Sequence, residues 1–130
     1  MNTAWHFGMV FIGGGLGSAL RYGAGRVSIA VIGHNYPAGT LFVNVVGCFL
    51  MGALVALLAH RDVGIDQSAK LFLTTGMLGG FTTFSAFALD AVALWERGDA
   101  VTAGSYVLVS VIGSIAGLVA GLAIVRTAVG

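Results

Sequence analysis

The sequence predicts an all-α integral membrane protein with four transmembrane helices per subunit. Its 130 residues are 58% hydrophobic and only 8% charged, whereas a soluble domain carries about 25% charged residues. The few charges gather mostly near short connectors and leave four apolar runs, each near the ~20 residues that cross a bilayer. Glycine, at 21 residues, is abundant in the way membrane helices tolerate.

The first span is expected over residues 4–31. Its charge-free part is Thr3–Leu20, continuing past Arg21 toward Ala30. The opening turns hold no Lys or Arg and the apolar run exceeds a signal h-region, so the segment reads as a retained span. Arg21 costs ~2.5–3.5 kcal/mol at a helix centre. Either it snorkels to a head group or it forms a vestibule charge that attracts anions. Gly13 and Gly17 lie four apart, a small-residue pair that lets helix backbones approach.

The second span, 38–60, follows the connector Ile32–Pro37, which holds the one proline. Within it Asn44 carries two N–H donors and two lone-pair sites. These serve either an interhelical hydrogen bond or a pore offering N–H to an anion. Thr40 reads as a helix-start cap or a back-bonded hydroxyl. Cys48, the single cysteine, makes an intrachain disulfide impossible and reads as a small apolar packing residue.

The third span, 69–95, contains the charge-free run Leu71–Leu89 after the connector His60–Lys70. Residues 74–90, TTGMLGGFTTFSAFALD, place Gly-Gly, Thr-Thr and Ser in mid-span. A helix break is expected there. Freed backbone groups survive at membrane depth only against protein or a wet cavity, and transport proteins put ion sites at such breaks. Phe84 and Phe87 share a face just beyond the break, beside Ser85. Ring edges carry partial positive charge, which would let a small anion shed water without meeting a fixed cation that holds it too tightly. The bland reading is lipid or core contact.

The fourth span, 100–126, follows Glu96–Asp99. Tyr106, Ser110 and Ser114 recur at i, i+4 and i+8, aligning three hydroxyls on one face. They form either a polar track or a helix-packing face. Gly113, Gly117 and Gly121 make a second small-residue ridge, expected here to support an oligomer.

Four spans put both termini on one side. That side holds Arg61, Lys70 and Arg126; the other holds Arg26 and Arg97, with Arg21 if it snorkels that way. So little asymmetry cannot fix an orientation. Four short helices also enclose little by themselves. An antiparallel, dual-topology homodimer with a two-fold axis in the membrane plane answers both points. The net charge of +1 offers no footprint for nucleic acid. No residue is assigned a catalytic role, and no enzyme activity is expected.

Four segments together resemble the Fluc/CrcB family of fluoride channels. They are GGGLGSALRY (13–22), GTLFVNVVGCFLMG (39–52), TGMLGGFTTFSAF (75–87) and the Tyr106/Ser110/Ser114 series. The resemblance implies a dual-topology homodimer of four-helix subunits, the third helix broken, with two antiparallel fluoride pores at the subunit interface. It makes Asn44 a pore donor and Phe84 with Phe87 the pore-lining aromatic pair, one ring from each pore's side of the dimer. Ser85 and Thr83 would lie beside them, Tyr106, Ser110 and Ser114 would form the polar track, and Arg21 would occupy the vestibule. Backbone carbonyls of Gly79 and Thr82 from both subunits would hold one structural Na⁺ on the dimer axis. Two positions depart from the family's pattern: Ala86 stands where Thr is common, and Asp90 where Glu is frequent.

The implied function is passive export of cytoplasmic fluoride from a cell's inner membrane. The alternative is a small dual-topology, proton-coupled drug exporter. Such a carrier needs a carboxylate facing a central site, and the first, second and fourth spans offer none. A non-transporting assembly subunit would leave the polar residues of the third span without a purpose.

Overall fold

The structure is a computed structural model that describes residues 2–60 and 64–130. Arg61, one of the charges weighed for orientation, lies outside the described residues. Helix α1 covers Thr3–Val31 and α2 Ala38–Ala59. The third stretch is composite: α3 (Gln67–Leu71), a π-helical segment (Phe72–Leu78), α4 (Gly79–Phe81) and α5 (Phe84–Glu96). Helix α6 covers Ala100–Val129. The described residues contain no strand, so the chain is all-α with four long helical stretches.

Short polar side chains start four of these helices. Asn2 accepts from the Ala4 and Trp5 amides, Asp66 from Ala69, Thr83 from Ala86 and Asp99 from Thr102. Each satisfies a donor that the first turn would leave unpaired. Two turns rely on glycine at positive φ, Gly33 at 104° and Gly98 at 82°, a region open to glycine without a Cβ penalty.

Hydrogen bonds at the two ends give an up-down-up-down course. At one end the Trp5 indole donates to Ser68 Oγ at 2.8 Å, and a His60 ring nitrogen lies 3.1 Å from the Val129 carbonyl. At the other, Arg97 donates to the Asn35 carbonyl at 2.8 Å. The start of α1 and the end of α6 therefore share an end with Ser68 and His60.

The helices meet through glycine. A Cβ on Gly13 would sit 2.6 Å from the Phe72 carbonyl oxygen, and one on Gly17 would strike the Met77 carbonyl. Gly80 meets the Gly14 carbonyl from the other side. A second seam joins α2 to α6, where Gly52 abuts the Leu118 carbonyl and Gly121 the Phe49 carbonyl. The ridges Gly13/Gly17 and Gly113/Gly117/Gly121, expected to support an oligomer, are thus occupied within the subunit. The motif reports close backbone approach and carries no information on which chain supplies the neighbour.

Among the described residues, three stretches are long and apolar enough to cross a membrane: Ala38–Ala59, Gln67–Glu96 and Ala100–Val129. Helix α1, expected as a fourth, matches them in length. Its many glycines, His6, Arg21 and Arg26 dilute its apolar content. Large apolar side chains nevertheless face outward along α1, among them Phe7, Phe11, Leu16 and Leu20. A buried apolar cluster lies elsewhere: Phe87, Leu94, Ala103 and Tyr106, with Tyr36, Leu41 and Ala91 against it.

Candidate functional site

Between α4 and α5 the backbone leaves the helix for two residues. Thr82 adopts φ −90°, ψ 160° and Thr83 φ −156°, ψ 120°. The carboxamide of Asn44 on α2 holds this extended pair. Its Nδ2 donates to the Thr83 carbonyl at 2.9 Å and its Oδ1 accepts from the Thr83 amide at 2.8 Å. The two bonds copy a backbone pairing and satisfy groups that are costly to leave bare in an apolar surround. Of the two roles open to Asn44, the interhelical bond is realised, and one Nδ2 hydrogen is left over.

The same pairing redirects two helical donors. In a continuous helix Thr83 N–H would bond the Gly79 carbonyl and Ala86 N–H the Thr82 carbonyl. The first goes to Asn44 and the second to Thr83 Oγ1 at 3.1 Å. The Gly80 carbonyl has taken a different donor, Arg21 Nε at 3.0 Å. Gly79 lies on the exposed surface of the subunit, and Thr82 is half-buried.

Beside this junction runs a groove of about 260 Å³ between α2, α5 and α6. Asn44 and Cys48 line it from α2, Ser110 and Ser114 from α6, and Phe84 and Phe87 from α5. Ser110 is 4% exposed, and its hydroxyl has no hydrogen-bond partner. A buried hydroxyl without a partner is uncommon, and this one is closed off from the groove's open space. Thr82 and Thr83 close the wall, the Thr82 hydroxyl turned back to the Leu78 carbonyl at 3.0 Å.

A ladder of rings leads away from the groove. Phe84 and Phe87 centroids lie 5.5 Å apart, Phe87 and Tyr106 5.4 Å, and Tyr106 and Tyr36 5.7 Å in an edge-on contact. Phe84 is 78% exposed, whereas Phe87 is buried. Tyr106 is wholly buried and donates to Asp90 Oδ2 at 3.2 Å. Asp90 lines a second cavity, about 240 Å³, with Tyr36, Thr40, His34 and Arg97 near the 32–37 connector.

The predicted site residues therefore fall into groups. Asn44, Thr83, Phe84, Phe87, Ser110 and Ser114 meet at the groove, and Tyr106 joins them through its ring. Ser85 is exposed, its hydroxyl 3.3 Å from that of Thr83. Arg21 lines a third cavity with Tyr22 and Arg26 while clipping the Gly80 carbonyl. Cys48, read from the sequence as an apolar packing residue, faces the groove. Its place one helical turn after Asn44 was the available signal. The ladder member Tyr36 gave none, because it lies in a connector.

Comparison with known proteins gives the chain its family. Residues 8–122 match the family described as CrcB-like protein, Camphor Resistance (CrcB). A protein of Paracoccus denitrificans named "Fluoride-specific ion channel FluC" is 55% identical over 124 residues, covering 92% of this chain and 94% of its own length. Proteins of the same name from Cereibacter sphaeroides and Rhizobium etli are 56% and 49% identical, covering 90% and 91% of this chain and 91% and 94% of theirs. A match of this reach, on a chain with three stretches fit to cross a bilayer, makes it a multi-pass membrane protein that belongs to the CrcB-like family.

Proposed function

We propose that the protein is a fluoride-selective channel that lets cytoplasmic fluoride leave passively through the groove. The observation that carries this reading is the groove itself, where Asn44, Phe84, Phe87, Ser110 and Ser114 meet beside the Thr82–Thr83 junction. Fluoride is small and strongly hydrated, so a path for it must replace water with donors. The spare Asn44 N–H, the Ser110 and Ser114 hydroxyls and the first amides of α5 are such donors. The positive end of the α5 dipole adds to them, and the Phe84 and Phe87 ring edges supply further partial positive charge. Among the described residues no Lys or Arg lines the groove, which suits conduction, since an ion must also be able to leave. The names of the relatives support the same ion.

In this reading α3 to α5 form one crossing interrupted at mid-membrane by Thr82 and Thr83. Phe84, largely exposed in one subunit, completes its pore against a second copy. Two copies insert antiparallel in the inner membrane and share two pores. The residues at the junction also fit a structural Na⁺. The Gly79 and Thr82 carbonyls have lost their helical donors, and carbonyl oxygens are what a hard cation accepts. Gly79 sits where a second copy could bring its own carbonyls. The ion would neutralise these dipoles and tie the two subunits together.

Vesicles loaded with potassium fluoride test the channel. With valinomycin added, the purified protein is expected to release fluoride rapidly and to retain chloride. Equal release of both anions, or release of neither, would refute the reading. Phe84→Ile is expected to cut the flux while leaving dimers intact, as its ring is exposed in the single subunit. Purification with N-methylglucamine in place of sodium is expected to convert dimers to monomers on a sizing column.

A further inference from the structure

We propose that Arg26 and Tyr22 form a headgroup site for an anionic phospholipid on the outer face of α1. Arg21 and Arg26 line one cavity of about 250 Å³ together with Tyr22, Thr40 and Thr83. Among the described residues, no Asp or Glu lines it. Arg21 Nε donates to the Gly80 carbonyl, and Arg26 donates one N–H to the Tyr22 hydroxyl at 3.2 Å. Neither bond neutralises a charge. A guanidinium stays charged and carries five donors, so most of those on Arg26 are open to an anion.

The placement of Arg26 selects the anion. Gly17 is buried in the seam with the third stretch. Arg26 follows it by two and a half helical turns, which brings it to the opposite, outward side of α1. Arg26 and Tyr22 are both exposed. Helix α1 ends at Val31, so Arg26 lies about 7–8 Å from that end, a depth from which its long stem reaches lipid headgroups. Toward the helix middle the same face continues through Ala19 and Gly15. A Cβ on Gly15 would meet nothing within 4 Å, and exposed Phe11, Ile12 and Leu16 surround this open strip.

A diacyl lipid answers both features. Its chains cover the apolar strip, and its phosphate accepts a charge-assisted, forked pair of bonds from the guanidinium. The Tyr22 hydroxyl holds the plane of that fork. A net negative headgroup also offsets two like charges in one cavity, which a zwitterionic headgroup does not. Free phosphate would gain the bonds and forgo the apolar contact.

Among the described residues no part of α1 lines the groove between α2, α5 and α6, so the site is read without reference to ion flux. Full-length protein in neutral detergent is titrated with dioleoyl phosphatidylglycerol, dioleoyl phosphatidylcholine or inorganic phosphate. Native mass spectra count the bound lipid, and the melting temperature is followed alongside. Saturable binding of phosphatidylglycerol with a rise in melting temperature is expected, and neither phosphatidylcholine nor inorganic phosphate should match it. Arg26→Gln should weaken phosphatidylglycerol binding by roughly tenfold, the scale of one charge-assisted contact. Arg26→Lys, which keeps the charge and loses the fork, should fall between. Arg126→Gln removes the same charge at the other end of the molecule and should bind as wild type does. Equal affinity in wild type and Arg26→Gln, or equal losses in Arg26→Gln and Arg126→Gln, would overturn the site. Inorganic phosphate that stabilises the protein as well as the lipid does would make it a free-anion site and refute the lipid. Dissociation of Arg26→Gln into monomers with lipid binding unchanged would assign the face to a second copy.

Discussion

The two halves of the third helical stretch solve the same problem with different chemistry. Residues 67–81 press against α1 through glycine, with Gly76 Cα 3.0 Å from where a Cβ on Gly13 would lie. Residues 84–96 meet α6 through rings and a leucine: Phe87, Leu94 and Tyr106. At its glycines the first half is held backbone to backbone with no side chain between to yield, and Trp5 and Arg21 of α1 clip it on either side. The second is held by side chains, which leaves room beside them for a groove. Rigidity is thus placed before the Thr82–Thr83 junction and adjustable chemistry after it.

The sharpest way to break this contrast is to put a methyl group into the glycine seam. Gly17→Ala places a Cβ against the Met77 carbonyl and within 2.9 Å of the Phe81 amide nitrogen. Both are backbone atoms, so relief requires moving a helix, and overpacking of this kind costs about 1–3 kcal/mol or more. We expect loss of the monodisperse peak in detergent. Gly15→Ala, where nothing lies within 4 Å, should fold normally and serves as the control. Equal behaviour of the two variants would mean that the seam is not as tight as drawn.

Next in size is the junction itself. Asn44→Ala strips Thr83 of both partners, and a buried unsatisfied group costs about 1–3 kcal/mol. The variant should melt at lower temperature and lose at least tenfold in fluoride flux. Asn44→Asp separates the two bonds, since an ionised carboxylate still accepts from the Thr83 amide and donates nothing. Its flux and its melting temperature should both fall at least as far as those of the alanine variant, because the carboxylate is set unpaired against the Thr83 carbonyl in an apolar surround.

How much of this was readable in the residues alone depends on whether a local pattern or a distant partner decides the feature. Apolar runs interrupted by polar connectors announce helices without further context, and the all-helical chain follows from them. Caps such as Asp66 and Asp99 are equally local. The π-helical segment Phe72–Leu78 has no such signature, because its extra residue per turn answers the contact with α1. Arg21 illustrates the same limit. Its spacing left snorkelling and vestibule roles open, and the Gly80 carbonyl that it meets lies 59 residues away. For Asn44 the sequence posed the choice between bonding and donating, yet only the Thr83 pairing shows that one side chain has capacity for both.

A smaller effect separates conduction from folding on the α6 side. Ser110→Ala removes a hydroxyl that contributes no bond to the subunit. Deleting an unsatisfied buried group is neutral or stabilising by ~1 kcal/mol. The melting temperature should stay level or rise while fluoride flux drops several-fold. A fall in both would show that the hydroxyl is structural.

The smallest effect is expected from Tyr106→Phe, which asks whether the ring ladder or its one hydroxyl matters more. The ring contacts to Phe87 and Tyr36, at 5.4 and 5.7 Å, survive the change. What disappears is the 3.2 Å bond to Asp90, a long one for an O–H donor. Asp90 lines a cavity of about 240 Å³, so water can replace the lost donor and the carboxylate is not stranded. The net loss of stability should be at most about 1 kcal/mol, read as a slight fall in melting temperature. Flux should change less than in Ser110→Ala, because Tyr106 is wholly buried and stands behind Phe87 rather than in the lining of the groove. A larger loss of flux than in Ser110→Ala would place the path through the Tyr106 hydroxyl toward Asp90, and so extend the groove into the second cavity.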